Sequence, residues 1–201
     1  MGKEKTAIIL IGYQNDYFAE DGILRGVIEE SDNTNNVLKN TLSMLDKLKS
    51  TDVMFIQTPI IFTENYSELV NPVGILKAIV DLKAFRAGGS GSKPIPEFDN
   101  MGDRLVCVEG KRGLNAFSNT KLEHILQQHN VKHVVLAGAV TSICIDSTGR
   151  AAHERGYQVS ILSDCTASRT AYEQEFYCEN IFPLYASINQ SDTFVSECLK
   201  H

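Results

Sequence analysis

The sequence has no basic patch. Lysine and arginine number 19 against 25 aspartate and glutamate, and the formal net charge is −6. Nucleic acids and anionic membranes select concentrated positive charge, so neither is an expected partner, and a small-molecule ligand fits better. Long apolar runs are missing too. Within the first thirty positions the apolar stretch covers only residues 7–13, and acidic sequence follows it in place of a small-residue cleavage site. That is too short for a membrane span and wrongly flanked for a secretion signal. The cysteines, at 107, 144, 165, 178 and 198, are odd in number and none forms a C-x-x-C pair. They read as reduced thiols in a cytoplasmic protein rather than as a disulfide framework. There is no internal repeat and no low-complexity tract. With 43% hydrophobic residues in 201 positions, residues 1–201 are expected to form a single domain around one core.

What is present is alternation. Short β-branched and apolar runs at 6–11, 53–58, 105–108, 133–137, 157–162 and, more weakly, 184–188 read as strands. Between them lie helical patterns. Residues 35–49 place Val37, Leu38, Leu42, Leu45 and Leu48 on one face, and 122–128, 143–153, 171–180 and 191–199 follow. Repeated strand–helix alternation implies a parallel sheet with helices on both faces and right-handed crossovers. The exception is 63–100, which ends in the glycine-rich, proline-stiffened AGGSGSKPIPEF. The loop at 87–96 is expected to be a lid over a pocket or a contact between subunits.

In an open parallel sheet the ligand site lies beyond the carboxyl ends of the strands, where the strand order reverses. Three positions fall there: Gly12 after the first strand, Lys111 after the third and Cys144 after the fourth. Thr141 or Ser142 can cap the helix after strand four, which puts Cys144 in its first turn. Unpaired N–H groups and the positive end of the helix dipole favour a thiolate there and can hold an oxyanion. The plainer alternative is a small buried hydrophobe. Lys111 has a similar alternative, a solvated surface lysine. Tyr13, Tyr17, Phe18 and Phe117 are candidates to line the pocket, and each reads equally well as core. Asp146, Arg150 and Asp164 read as salt-bridge or helix-capping residues.

Three blocks carry a wider resemblance: AIILIGYQNDYF near the start, GDRLVCVEGKRGLNAF in the middle, and VVLAGAVTSICIDSTGRAAHERGYQVSILSD around the cysteine. In order and spacing the chain resembles the isochorismatase-like cysteine hydrolases over nearly its full length. The resemblance implies a three-layer α/β/α fold with a six-stranded, mainly parallel sheet in Rossmann-like order 3-2-1-4-5-6. It also implies an Asp–Lys–Cys triad that attacks small amides or ureides. Cys144 matches the nucleophile and Lys111 the lysine, and the peptide between Ala139 and Val140 falls where the family keeps a non-proline cis bond beside the oxyanion site.

The third triad position departs from the family. Its first-strand pattern I-D-x-Q-N-D reads Ile11-Gly12-Tyr13-Gln14-Asn15-Asp16 here, so the general base is replaced by Gly12. Asp16 lies four residues on and reads as a side chain bonding backbone at the strand-to-loop turn. After the second strand, where the nicotinamidase subgroup keeps metal ligands, 58–64 contains no histidine, and the histidines at 124, 129, 133, 153 and 201 lie elsewhere. No metal and no cofactor are expected. A vinyl-ether substrate, which depends on the absent carboxylate, is not expected either. The remaining readings are a C–N hydrolase working through a Cys144 thioester, in a homo-oligomer, and a catalytically impaired relative that binds a small molecule or serves assembly.

Overall fold

The structure, a computed structural model, describes residues 5–200; His201 lies outside them. Six strands form one parallel sheet: β1 (Lys5–Ile11), β2 (Met54–Thr58), β3 (Leu105–Cys107), β4 (Val131–Ala139), β5 (Gln158–Ala167) and β6 (Ser187–Asn189), in the order β3-β2-β1-β4-β5-β6. All pairings are parallel, so the expected order and layering are what the chain adopts. The helices are α1 (Asn15–Phe18), α2 (Arg25–Asn35), α3 (Val37–Leu48), α4 (Gly74–Leu82), α5 (Leu122–Gln128), α6 (Asp146–Glu154), α7 (Ala171–Phe176) and α8 (Ser191–Leu199).

The period-2 geometry of β1 builds two cores from one strand. Ile8 and Leu10 face a cluster with Val37, Met44, Leu45 and Leu48 of α3, Ile28 of α2, and Phe194 and Val195 of α8. Ala7, Ile9 and Ile11 face the other layer, with Leu122 and Leu126 of α5 and Ala151 and Ala152 of α6. Strand β4 divides in the same way, Val135 and Ala137 to the first cluster, Val134 and Leu136 to the second. Burying each of the large α3 side chains contributes roughly 1.5–3 kcal/mol. From Ala7 onward strand β1 therefore has no solvent face, and its carboxyl end is fixed beneath the site.

The differences from the sequence reading lie at ends and in the long connection. The helix expected over 171–180 stops as an α-helix at Phe176, passes through a π-helical turn Tyr177–Ile181 and ends in a 3-10 turn Phe182–Leu184. Pro183 has no N–H for a ladder, so the last strand starts at Ser187 rather than 184. The 63–100 segment is not one loop. It contains α4, and a 3-10 run Pro96–Arg104 follows. Asp146 and Arg150 pair within α6, and both Asp164 oxygens accept from the N–H and hydroxyl of Ser191 at the start of α8. Capping and pairing, not chemistry, occupy these residues. Among the described residues no helix is long and apolar enough to cross a membrane.

Candidate active site

The carboxyl edge of the sheet brings Gly12, Lys111 and Cys144 to one small cavity, together with Tyr17, Ile60, Ile79 and Phe85. Its volume is about 10 Å³, room for about one water molecule. Cys144 sits in a π-helical turn, Thr141–Ile145, that leads into α6. A tighter first helical turn was expected; the wider turn forms where both Ile143 and Ile145 donate to the Val140 carbonyl. The Ala139–Val140 peptide just before it is cis.

Lys111 is positioned from below. It forms an isolated parallel bridge with Ile60, continuing the β2–β3 edge past the strand ends. Ile60 is itself held by the Gln14 side chain, whose Nε2 donates to the Ile60 carbonyl at 2.9 Å while Oε1 accepts from the Ile60 N–H at 2.9 Å. The same Nε2 donates to Ser92 O at 2.7 Å. Only 1% of Lys111 is exposed. Its Nζ donates to Gly113 O at 2.5 Å and to Cys144 Sγ at 3.5 Å. The two residues that the sequence placed after different strands therefore meet.

Gly12 is shaped by its backbone. Its φ is +76°, and a Cβ there would lie 2.8 Å from the Ala139 carbonyl oxygen and 3.4 Å from the Tyr17 ring. Only glycine takes that conformation without strain. Asp16 does not stand in for the absent carboxylate. Its Oδ2 accepts from the Phe85 N–H at 2.5 Å, and it lines an outer groove rather than the Cys144 cavity. Burial pushes the Asp16 carboxyl up, and the Phe85 N–H offsets part of that.

Of the four aromatic candidates, Tyr17 lines the cavity, and burial, with Cys144 and Asp16 adding to it, pushes its hydroxyl up. The other three require correction. Tyr13 points into the α3 layer, where its hydroxyl meets Thr41 Oγ1 at 2.6 Å and Cys165 O at 3.1 Å. Phe18 stacks on Tyr13 at 4.9 Å and borders the outer groove. Phe117 packs in the α5–α6 layer, in the cluster that also includes Cys144, beneath Arg155 and beside Tyr157, and does not line the cavity.

The lid expectation also changes. The 87–96 loop is pinned to the turn after β1, with Lys93 O and Gly91 O accepting from Asn15 N and Asp16 N and with Ile95 N donating to Tyr13 O. It does not line the cavity. The cover is α4, through Ile75, Leu76 and Ile79, with Leu114 beside it. The spacing of Ile75, Ile79 and Leu82 was the available signal for that helix. Among the described residues, no group of three or more His, Cys, Asp or Glu side chains is arranged to hold a metal ion.

A sequence model of the Isochorismatase domain matches residues 6–193. The chain is 26% identical over 132 residues to nicotinamidase 3 of Arabidopsis thaliana, covering 66% of this chain and 64% of that protein. It is 22% identical over 204 aligned positions to the ureidoacrylate amidohydrolase RutB of Klebsiella pneumoniae, covering 95% of this chain and 86% of that one. A solved isochorismatase-like hydrolase from Alkaliphilus metalliredigens superposes with a TM-score of 0.79 at 25% identity, over 96% of this chain and 98% of that one.

Proposed function

The chain belongs to the isochorismatase family, and from that membership we propose that it hydrolyses a non-peptide carbon–nitrogen bond of a small amide or ureide. Cys144 is the nucleophile. Its sulfur attacks the carbonyl carbon, the C–N bond breaks, the nitrogen leaves as an amine or ammonia, and water cleaves the thioester to the acid. Lys111 is its cationic partner, and the backbone of the turn from Ala139 and Val140 to Ile145 is where the carbonyl oxygen is held. The observation that carries the reading is the 3.5 Å contact between Lys111 Nζ and Cys144 Sγ at the carboxyl edge of the sheet. The similar proteins, a nicotinamidase and a ureidoacrylate amidohydrolase by name, support the bond type.

Gly12 favours a second reading in specific terms. With no carboxylate at that position, proton transfer to the leaving nitrogen and from the attacking water loses a contribution of about 10²- to 10⁴-fold. An activated ester such as p-nitrophenyl acetate distinguishes the two. A burst of acylation on Cys144 followed by a slow steady state is expected, with the acyl mass on the Cys144 peptide. A burst with no second phase supports a protein that binds but does not turn over. A burst that survives Cys144→Ala refutes the nucleophile assignment.

A further inference from the structure

Lys111 and Asp16 are the charged side chains buried in this fold among the described residues. They are not partners, since Asp16 is committed to the Phe85 N–H and faces the outer groove. No ion pair among the described residues includes Lys111. Two of its three possible donations go to one carbonyl and one sulfur. A buried ammonium normally has a counter-charge, because removing it from water alone costs several kcal/mol. The position that would supply one is Gly12, which has no side chain, and its left-handed backbone, with the Cβ site 2.8 Å from a carbonyl oxygen, strains any that is added. The rest of the cavity wall is apolar or phenolic, with Tyr17, Ile60, Ile79 and Phe85.

We infer that the counter-charge arrives with the ligand: the Cys144 cavity binds small carboxylates, and the Lys111 ammonium is the carboxylate site. Resting on the hydrolase reading, this makes the substrate a small amide or ureide that carries its own carboxylate a few bonds from the scissile carbonyl. A neutral amide leaves the ammonium with the Cys144 sulfur and the Gly113 carbonyl alone. The short Nζ–Sγ distance puts a carboxylate on Lys111 in reach of the sulfur, so anionic reagents and substrates are drawn to the nucleophile itself. The apolar remainder of the wall selects against further polar groups, and entry requires α4 to move, because the closed cavity holds little more than a water.

Iodoacetate and iodoacetamide test this directly. Both alkylate a thiol in the same way, the sulfur–carbon bond forming as iodide departs, and they differ in carboxylate against amide. Cys107 is free and exposed in the same molecule and serves as the internal reference. Peptide mapping under each reagent is expected to give an iodoacetate-to-iodoacetamide rate ratio at Cys144 about tenfold or more above that at Cys107, as suits a charge-assisted contact. In Lys111→Met the ratio at Cys144 is expected to fall to the Cys107 value. An equal ratio at the two sites in the native chain overturns the inference, as does an unchanged ratio in a folded Lys111→Met, or failure of iodoacetate to reach Cys144 at all. If Lys111→Met does not fold, protection of the native chain decides. Propionate should slow alkylation of Cys144 by iodoacetamide and propionamide should not; equal protection refutes the site. Alkylation needs no turnover, so an iodoacetate preference without amide hydrolysis would sink the hydrolase reading and leave the anion site standing.

Discussion

Position 12 carries two separable claims, one about backbone and one about chemistry, and a pair of substitutions divides them. Gly12→Ala adds a Cβ at φ +76°, 2.8 Å from Ala139 O. The left-handed conformation alone costs an L-residue roughly 1–2 kcal/mol, and the close approach forces a shift of backbone, for a total of about 2–3 kcal/mol. For a chain of this length each kcal/mol lowers Tm by about 2–4 °C, so calorimetry should show a fall of roughly 4–12 °C. Gly12→Asp suffers the same strain, but position 12 and Lys111 line one cavity, and a hydrogen bond between the new carboxylate and the ammonium would return about 1.5–3 kcal/mol. The aspartate variant is therefore expected to melt at or above the alanine variant. It should also turn over an acyl ester at steady state about tenfold or more faster than the native chain, since it restores a proton-transfer group. By occupying Lys111 it should erase the iodoacetate preference at Cys144. An unchanged Tm in Gly12→Ala refutes the backbone argument. Turnover in Gly12→Asp no faster than in Gly12→Ala refutes the assignment of position 12 as the vacant base.

Gln14→Ala removes the three bonds that tie the turn after β1 to Ile60 and Ser92; leaving buried backbone groups unpaired should cost about 2–4 kcal/mol in urea unfolding, and a loss under about 1 kcal/mol would show that the amide is not the pin. Lys83 ends α4 in the left-handed region at φ +59°, so Lys83→Gly should raise stability by about 1 kcal/mol, and a lower Tm would contradict that geometry. Burial pushes the Glu173 carboxyl up, but hydrogen bonds from Arg169 and Ser168 outweigh it and hold it at about 2. A carboxyl depressed on folding stabilises above the ordinary carboxylate range and loses that contribution as pH falls from about 4.5 through about 2. Glu173→Gln should accordingly be less stable than the native chain at pH 7, with the gap closing over that window; a gap independent of pH would show that the charge is not responsible.

The strands were legible because burial on both faces leaves a local mark, the β-branched runs of β1, β2 and β4, and the candidate site residues were legible because Gly12 and Cys144 follow β1 and β4 and Lys111 follows the shorter β3. Which way a side chain points after the run was not legible. Tyr13 follows Gly12 directly, yet the turn in which Gln14 N donates to Gly12 O leaves its ring in the α3 layer, while Tyr17, one helical turn on, faces the sulfur. Phe117 comes from the same block as Lys111 and packs in the cluster that also includes Cys144, yet it does not line the cavity. The lid was misplaced for a related reason. Glycine content was read as the backbone freedom of a lid or a subunit contact, but in AGGSGSKP it marks close approach: a Cβ on Gly91 would lie 1.8 Å from Asp16 Oδ1. The loop's carbonyls are held by the N–H groups of Asn15 and Asp16 and by the Gln14 amide, so it is among the better-fastened connections near the site. The element that covers the cavity is the regular one. Helix α4 is entered at Gly74, φ +55°, and left at Lys83, φ +59°. Of its residues only Ile79 is fully buried, and Ile75, Leu76 and Val80 pack partly buried against the same cluster. Opening it exposes Ile75 and Leu76, already half-buried, and uncovers the sulfur and ammonium together, the two groups an incoming carboxylate has to find.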